Sequence, residues 1–133
     1  MKRFLIISIS ILLSTNFVYS QLEARQKKLF NFDWKFTRGD IDGGFQLNFD
    51  DSKWDDIHLP HDASIGGDFD RENSTRANGW LPHGNGWYRK HFKLEEETKE
   101  KLIFIQFQGV YRDAEVYING TYLGRHLNGY LGF

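Results

Sequence analysis

The sequence predicts an all-β fold, an antiparallel β-sandwich. Short segments of alternating apolar and polar residues recur along the chain, and no segment has the period of a long helix. The pair Asn119-Gly120 lies between two β-rich segments, which is the strongest short-range signal for a hairpin. Five or six strands can be counted, whereas a two-sheet jelly roll uses about eight. We therefore expect one or two closing strands to be missing from this chain.

The first strand begins near residue 29, where the period of the apolar residues changes to two. Four aromatic residues then occupy alternate positions: Phe30, Phe32, Trp34 and Phe36. This alternation is typical of a half-buried strand. A second strand is predicted over residues 55–59, and it ends at Pro60 because proline cannot donate to the ladder.

A long loop and two more strands follow. Residues 63–86 are rich in Gly, Asn, Asp and Ser, and loops of this length in compact domains are usually functional or disordered. Residues 87–94 alternate again and predict a third strand. Residues 101–110 start apolar on both faces, which is typical of a central strand that is covered on both sides.

The last predicted unit is a hairpin whose register follows from its turn, because a type I′ turn needs a positive φ at both central residues. The predicted pairs are Ile118 with Thr121, Tyr117 with Tyr122, and Val116 with Leu123. In this register Val116, Ile118 and Leu123 form one apolar face, and the two tyrosines pair on the other.

Residues 1–20 resemble a cleavable secretory signal peptide, with Lys2 and Arg3 before an apolar run and small residues at the end. The run is too short and too polar for a transmembrane helix, which needs about 20 apolar residues. We therefore expect an exported protein, either periplasmic or secreted. Residues 21–28 form a polar N-terminal arm, either extended or one helical turn, and residues 29–133 form the folded domain.

Charge and length exclude several classes of function. Without residues 1–20 the chain keeps 15 basic and 18 acidic residues, a net charge of −3. This argues against nucleic acid or an anionic membrane as a partner, since both require a basic face. The chain has no cysteine, so it holds no disulfide. At 133 residues it has room for one domain but not for a (β/α)₈ barrel, which needs about 250.

His61 and Asp62 follow the break at Pro60 and are the first candidate site residues. Two interpretations stay open. In the first, Asp62 accepts backbone N–H groups in an Asx turn while His61 packs against Trp54. In the second, the two residues border a pocket. Trp80, which lies among Asn, Gly and Pro, is a candidate for stacking on a sugar ring.

Ligand spacing argues against a zinc site and gives only weak support for calcium. His58 and His61 diverge around Pro60 and have no clustered third ligand, so zinc is disfavoured. Acidic residues in the long loop leave a weak possibility of calcium: Asp62, Asp68, Asp70 and Glu72.

Four segments together resemble a known family: FNFDWKF, FDDSKWDDIHLPHD, GNGWYRKHF and GVYRDAEVYINGTYLGRHLNGY. In this order and spacing they are similar to the N-terminal sugar-binding domain of glycoside hydrolase family 2, most closely to its secreted β-galactosidases. The resemblance covers residues 29–133.

The resemblance implies a galactose-binding-like jelly-roll domain beside an immunoglobulin-like domain and a catalytic (β/α)₈ barrel. The family's retaining exo-glycosidases use two glutamates on that barrel, with carboxyl groups about 5 Å apart in retaining enzymes. Neither position lies in this sequence, so we expect no catalytic residue, cofactor or metal in this chain. The implied partners are a terminal β-linked sugar and the downstream domains of the same polypeptide.

The resemblance also implies a role for the loop after Pro60, which approaches the terminal-sugar pocket in the family. His61 and Asp62 would then hydrogen-bond to sugar hydroxyls. Many family members have an aromatic residue at the position of Ala63, so this sequence lacks a stacking group there.

Three other functions stay open. The chain could be a stand-alone carbohydrate-binding module, part of a β-glucuronidase or β-mannosidase of the same family, or a purely structural domain. Binding of galactose or glucuronate by the isolated domain would favour the module.

Overall fold

The computed structural model describes residues 25–133. Within these residues the strands are β1 (Trp34–Arg38), β2 (Asp55–Ile57), β3 (Gly86–Arg89), β4 (Ala114–Ile118) and β5 (Thr121–His126). Two short 3₁₀ helices span Arg76–Asn78 and Glu96–Thr98. All strand pairs are antiparallel, which confirms the predicted all-β antiparallel fold.

The predicted signal peptide, residues 1–20, and the first half of the predicted arm, residues 21–24, lie outside the described residues. Over residues 25–133 no helix has the length and apolar character needed to cross a bilayer.

One sheet has the order β2-β1-β3, so β1 is its central strand. Phe36 pairs with Tyr88, and the next residue, Thr37, pairs with Trp87. Because successive side chains point to opposite faces of a strand, Phe36 and Tyr88 share one face and Trp87 lies on the other. This register decides which side chains can reach His61.

The core is small and aromatic. Trp34, Phe36 and Trp54 are only 9%, 7% and 8% exposed. The indole N–H of Trp34 donates to the carbonyl of Phe30 at 2.7 Å, so this buried polar group is satisfied. A turn precedes Trp54, and the backbone N–H of Trp54 donates to the carbonyl of Asp51 at 3.0 Å.

The hairpin β4-β5 has the predicted turn and only part of the predicted register. Asn119 and Gly120 have φ of 50° and 82°, as a type I′ turn requires. The pairs Ile118–Thr121 and Tyr117–Tyr122 are confirmed.

The third predicted pair is wrong, because Val116 pairs with Gly124 instead of Leu123. A β-bulge between Val116 and Tyr117 shifts the register by one residue. As a result Leu123 leaves the predicted apolar face and is 57% exposed.

The predicted central strand over residues 101–110 is also wrong, since the structure forms no strand there. Leu102 and Phe104 are 89% and 72% exposed, so the segment is not covered on both sides. Near its end, Phe107 and Phe133 exchange backbone hydrogen bonds of 2.8 and 2.9 Å. The segment is apolar on both faces, but a strand becomes central only when neighbouring strands and a covering layer are present.

Aromatic rings connect the hairpin to the three-stranded sheet. Tyr117 of β4 lies 6.2 Å from Trp87 of β3 and stacks on Phe45 at 5.5 Å, measured between ring centroids. The hairpin therefore packs on the Trp87 face, and the opposite face carries Phe36 and Tyr88.

Candidate functional site

His61 lies just after β2 and packs on the Phe36 face of the sheet. The preceding chain is held by a hydrogen bond from the N–H of Leu59 to the carbonyl of Asn31, at 2.7 Å. The imidazole lies 4.7 Å from the ring of Phe36 and 5.6 Å from that of Tyr88, between centroids. Its Nδ1 is 2.9 Å from the Tyr88 hydroxyl. His61 thus packs against Phe36 and Tyr88, not against Trp54 as one interpretation expected.

Asp62 is exposed and makes the turn that the sequence allowed. Its Oδ1 accepts the backbone N–H of Ser64 at 2.7 Å, which is an Asx turn. Burial and, secondly, the charge of Asp62 raise the pKa of Tyr88 above its ordinary value, against an opposing effect of Arg38. Asp62 therefore has a local structural role and also adds negative charge near the Tyr88–His61 pair.

A cavity of about 190 Å³ opens beside His61. Its walls include Phe36, Arg38, Asp55, His61 and Ala63. An aromatic surface, a cation, a carboxylate and an imidazole therefore border one space. Such a mixture of apolar and hydrogen-bonding groups suits a small polar ligand with a hydrophobic side, for example a sugar ring.

Trp80 is half-buried and does not line this cavity. Its backbone N–H donates to Thr75 and its carbonyl accepts from Asp70, so it closes a compact loop. Its φ of 63° lies in the left-handed region that a bulky residue rarely adopts. The guanidinium of Arg71 lies 5.9 Å from the indole ring. Of the three candidate residues, only His61 therefore borders the cavity.

In the long loop, Asp70 acts as a turn acceptor. Asp70 accepts the backbone N–H groups of Glu72 and Asn73 and the side-chain amide of Asn73, at 2.8 to 3.0 Å. These hydrogen bonds lower the pKa of the Asp70 carboxyl. Among the described residues no group of three or more potential ligands is arranged to hold a metal ion.

Tyr88 and Arg38 were missed as site residues by sequence reasoning. The alternation of residues 87–94 predicted a strand but singled out no site residue in it, and Arg38 was not singled out either. The pairing of β1 with β3 places Tyr88 across from Phe36. The signal needed to find Tyr88 is the pairing of these two strands, which their alternation alone does not give.

Three other arginines, Arg89, Arg112 and Arg125, have different surroundings in the structure. Arg89 pairs with Asp51 at 3.1 Å, and Arg125 pairs with Asp113 across the base of the hairpin. Arg112 is exposed and borders a second, more open cavity of about 390 Å³. Tyr111 and Tyr130 also line this cavity.

No family model matches the chain. A β-galactosidase of Bacteroides ovatus is 44% identical over 115 residues, which are 86% of this chain and 14% of that protein. A β-glucuronidase of Formosa agariphila is 38% identical over 108 residues, 78% of this chain and 11% of that protein.

Solved structures agree with these sequence relatives. A β-glycosidase from Bacteroides vulgatus superposes with a TM-score of 0.73 at 43% identity, over 78% of this chain and 14% of that one. A glycosyl hydrolase family 2 member from Bacteroides cellulosilyticus gives a TM-score of 0.70 at 40% identity, over 80% and 14%. The chain thus spans about one seventh of the length of such relatives, 14% for the first of them.

Proposed function

The chain belongs to glycoside hydrolase family 2, where it matches the N-terminal region, and we propose that it is the sugar-binding domain of an exported, β-galactosidase-like enzyme. In this proposal the domain supplies one wall of the pocket that holds the terminal sugar. His61 contacts the sugar, and Asp62 and Trp80 support the loop that follows Pro60 from outside the cavity. The bond-breaking carboxylates of a retaining exo-glycosidase belong to a barrel outside this chain.

The observation that carries the proposal is the position of His61 at the cavity. An imidazole held by Tyr88 and Phe36 can donate or accept a hydrogen bond at its free ring nitrogen. Arg38 and Asp55 add further polar groups to the same space. These are the kinds of group that bind sugar hydroxyls.

The exposed apolar side chains support a partner domain on the same polypeptide. Leu102, Phe104 and Tyr130 are 89%, 72% and 84% exposed, and all lie in the last third of the chain. Monomeric soluble proteins rarely leave large apolar patches uncovered. In the proposed enzyme the downstream domains cover these side chains.

A uronate-specific enzyme is the second candidate, and Arg38 favours it. A guanidinium at the cavity can pair with the carboxylate of a glucuronide. Replacing Arg38 by Met in the complete enzyme would then raise KM for an aryl β-glucuronide far more than for an aryl β-galactoside. An equal effect on both substrates would argue against it.

The main test is His61→Ala in the complete enzyme, with an aryl β-galactoside as substrate. We expect KM to rise on the order of tenfold, since a lost hydrogen bond at a binding site costs about 1–2 kcal/mol. His58→Ala is the matched control, because His58 does not line the cavity. Unchanged KM in His61→Ala would refute the proposed contact.

Export is tested separately. Residues 1–20 are proposed to be removed, so the mature protein recovered outside the cytoplasm should begin at Gln21. A protein that stays in the cytoplasm with its first residues intact would contradict this part of the proposal.

A further inference from the structure

We propose that Tyr88 is a positioning residue, which selects the tautomer of His61 so that the Nε2–H group faces an acceptor oxygen of the sugar. The inference rests on the proposed function, because it requires His61 to contact the sugar. It adds the direction of that hydrogen bond and names the residue that sets it.

The geometry restrains the imidazole from two sides. The Tyr88 hydroxyl lies 2.9 Å from Nδ1 of His61, and the ring of Phe36 packs on the imidazole at 4.7 Å between centroids. Phe36 and Tyr88 are themselves paired across β1 and β3, with their rings 4.9 Å apart. The hydroxyl is therefore carried by a sheet and not by a loop, which fixes its position.

The chemistry of the two groups sets the direction of their hydrogen bond. A phenol O–H is a much stronger acid than the N–H of a neutral imidazole, so Tyr88 donates and Nδ1 of His61 accepts. The raised pKa of Tyr88 keeps this phenol protonated through the neutral range. A neutral imidazole has one donor and one acceptor nitrogen, so Nε2 then carries the proton.

Nε2 of His61 is the nitrogen left for a ligand. Over residues 25–133 it makes no hydrogen bond, while His61 borders the cavity. As a donor it selects acceptor oxygens, either a sugar hydroxyl or a sugar carboxylate. Comparison of a β-galactoside with a β-glucuronide distinguishes these two sources.

The kinetic experiment compares Tyr88→Phe with the parent in the complete enzyme. Phenylalanine keeps the packing on Phe36 and removes only the hydroxyl. We expect KM to rise on the order of fivefold, the effect of about 1 kcal/mol, with kcat nearly unchanged. Tyr111→Phe is the matched control, since Tyr111 is 72% exposed and does not contact His61 in the structure. In a His61→Ala background, Tyr88→Phe should have no further effect on KM.

A spectroscopic measurement tests the tautomer directly. In the ¹⁵N-histidine-labelled chain, long-range ¹H–¹⁵N spectra should show His61 protonated at Nε2, and a tautomer mixture in Tyr88→Phe. Protonation at Nδ1 in the parent would overturn the inference even if the variant failed to fold.

The kinetic outcomes separate this inference from the proposed function. A raised KM in His61→Ala with an unchanged KM in Tyr88→Phe would overturn the positioning role of Tyr88 alone. An unchanged KM in His61→Ala would overturn the sugar contact and this inference with it.

Discussion

The guanidinium of Arg89 lies 3.1 Å from the carboxylate of Asp51, and the two side chains are only 14% and 15% exposed. The same guanidinium donates to the carbonyl oxygens of Gly44, Gln46 and Leu47 at 2.9 to 3.1 Å. One side chain therefore joins β3 to two loop segments that have no regular secondary structure.

Replacing Arg89 by Ala should lower the free energy of unfolding by about 2–3 kcal/mol, because a largely buried carboxylate and three carbonyls lose their cation. Denaturant unfolding measures this change. Arg76→Ala, at an exposed arginine, is the control and should cost less than about 0.5 kcal/mol. Equal losses in the two variants would contradict the role of Arg89.

Trp54 is buried at 8% exposure and contacts Phe49, with ring centroids 5.6 Å apart. Trp54→Ala should therefore cost about 3–5 kcal/mol in unfolding free energy, since it leaves a cavity in a small core. Phe69→Ala provides the comparison, because Phe69 is 78% exposed. A Phe69 variant that is as unstable as the Trp54 variant would be inconsistent with this core.

The hydrogen bond from Arg125 holds the pKa of Asp113 below its ordinary value. Because the folded pKa is below the unfolded one, the pair stabilises the fold above the unfolded carboxyl pKa of about 4. This stabilisation is lost as the pH falls through the folded value.

Asp113→Asn should therefore make stability less dependent on pH in the acid range. The unfolding midpoint, measured from neutral pH downward, checks this. Asp68→Asn is the control, since Asp68 forms no ion pair with residues 25–133. The effect of Asp113→Asn should shrink at high salt, because the pair is exposed. A pH profile identical to that of the parent would speak against the pair.

A substitution at Phe104 tests whether another domain covers the exposed apolar side chains. In the isolated chain Phe104→Glu should leave the unfolding free energy nearly unchanged, because the ring is 72% exposed. In the complete enzyme the same change should lower stability by about 2 kcal/mol or more, as a carboxylate would enter a dry interface. Thermal unfolding of both forms gives the comparison, and equal small effects would argue against a covering domain.

The isolated chain should not turn over an aryl β-galactoside or an aryl β-glucuronide. The proposed chemistry needs two carboxylates on a barrel, and this chain supplies one wall of the pocket only. Release of the chromophore, measured against a blank without protein, checks the expectation. Turnover that co-purifies with the isolated chain would place the catalytic residues within this chain.

Local features of the fold were predictable because neighbouring residues decide them. The Asn119-Gly120 turn requires only the positive φ that these two residues tolerate, and it sets the first two pairs of the hairpin. The bulge between Val116 and Tyr117 was not predictable in the same way, because the turn residues fix only the pairs next to the turn. The alternation around Trp34 and Phe36 likewise predicted the strand that became the centre of the sheet.

Long-range contacts needed the tertiary structure. His61 and Tyr88 are 27 residues apart, and their hydrogen bond exists because β3 pairs with β1 in one particular register. A shift by one residue would turn Tyr88 to the other face and leave His61 without its partner. Residues 101–110 illustrate the same principle. An apolar pattern indicates which side chains of a strand can be buried, whereas their burial depends on which other surfaces pack against the strand.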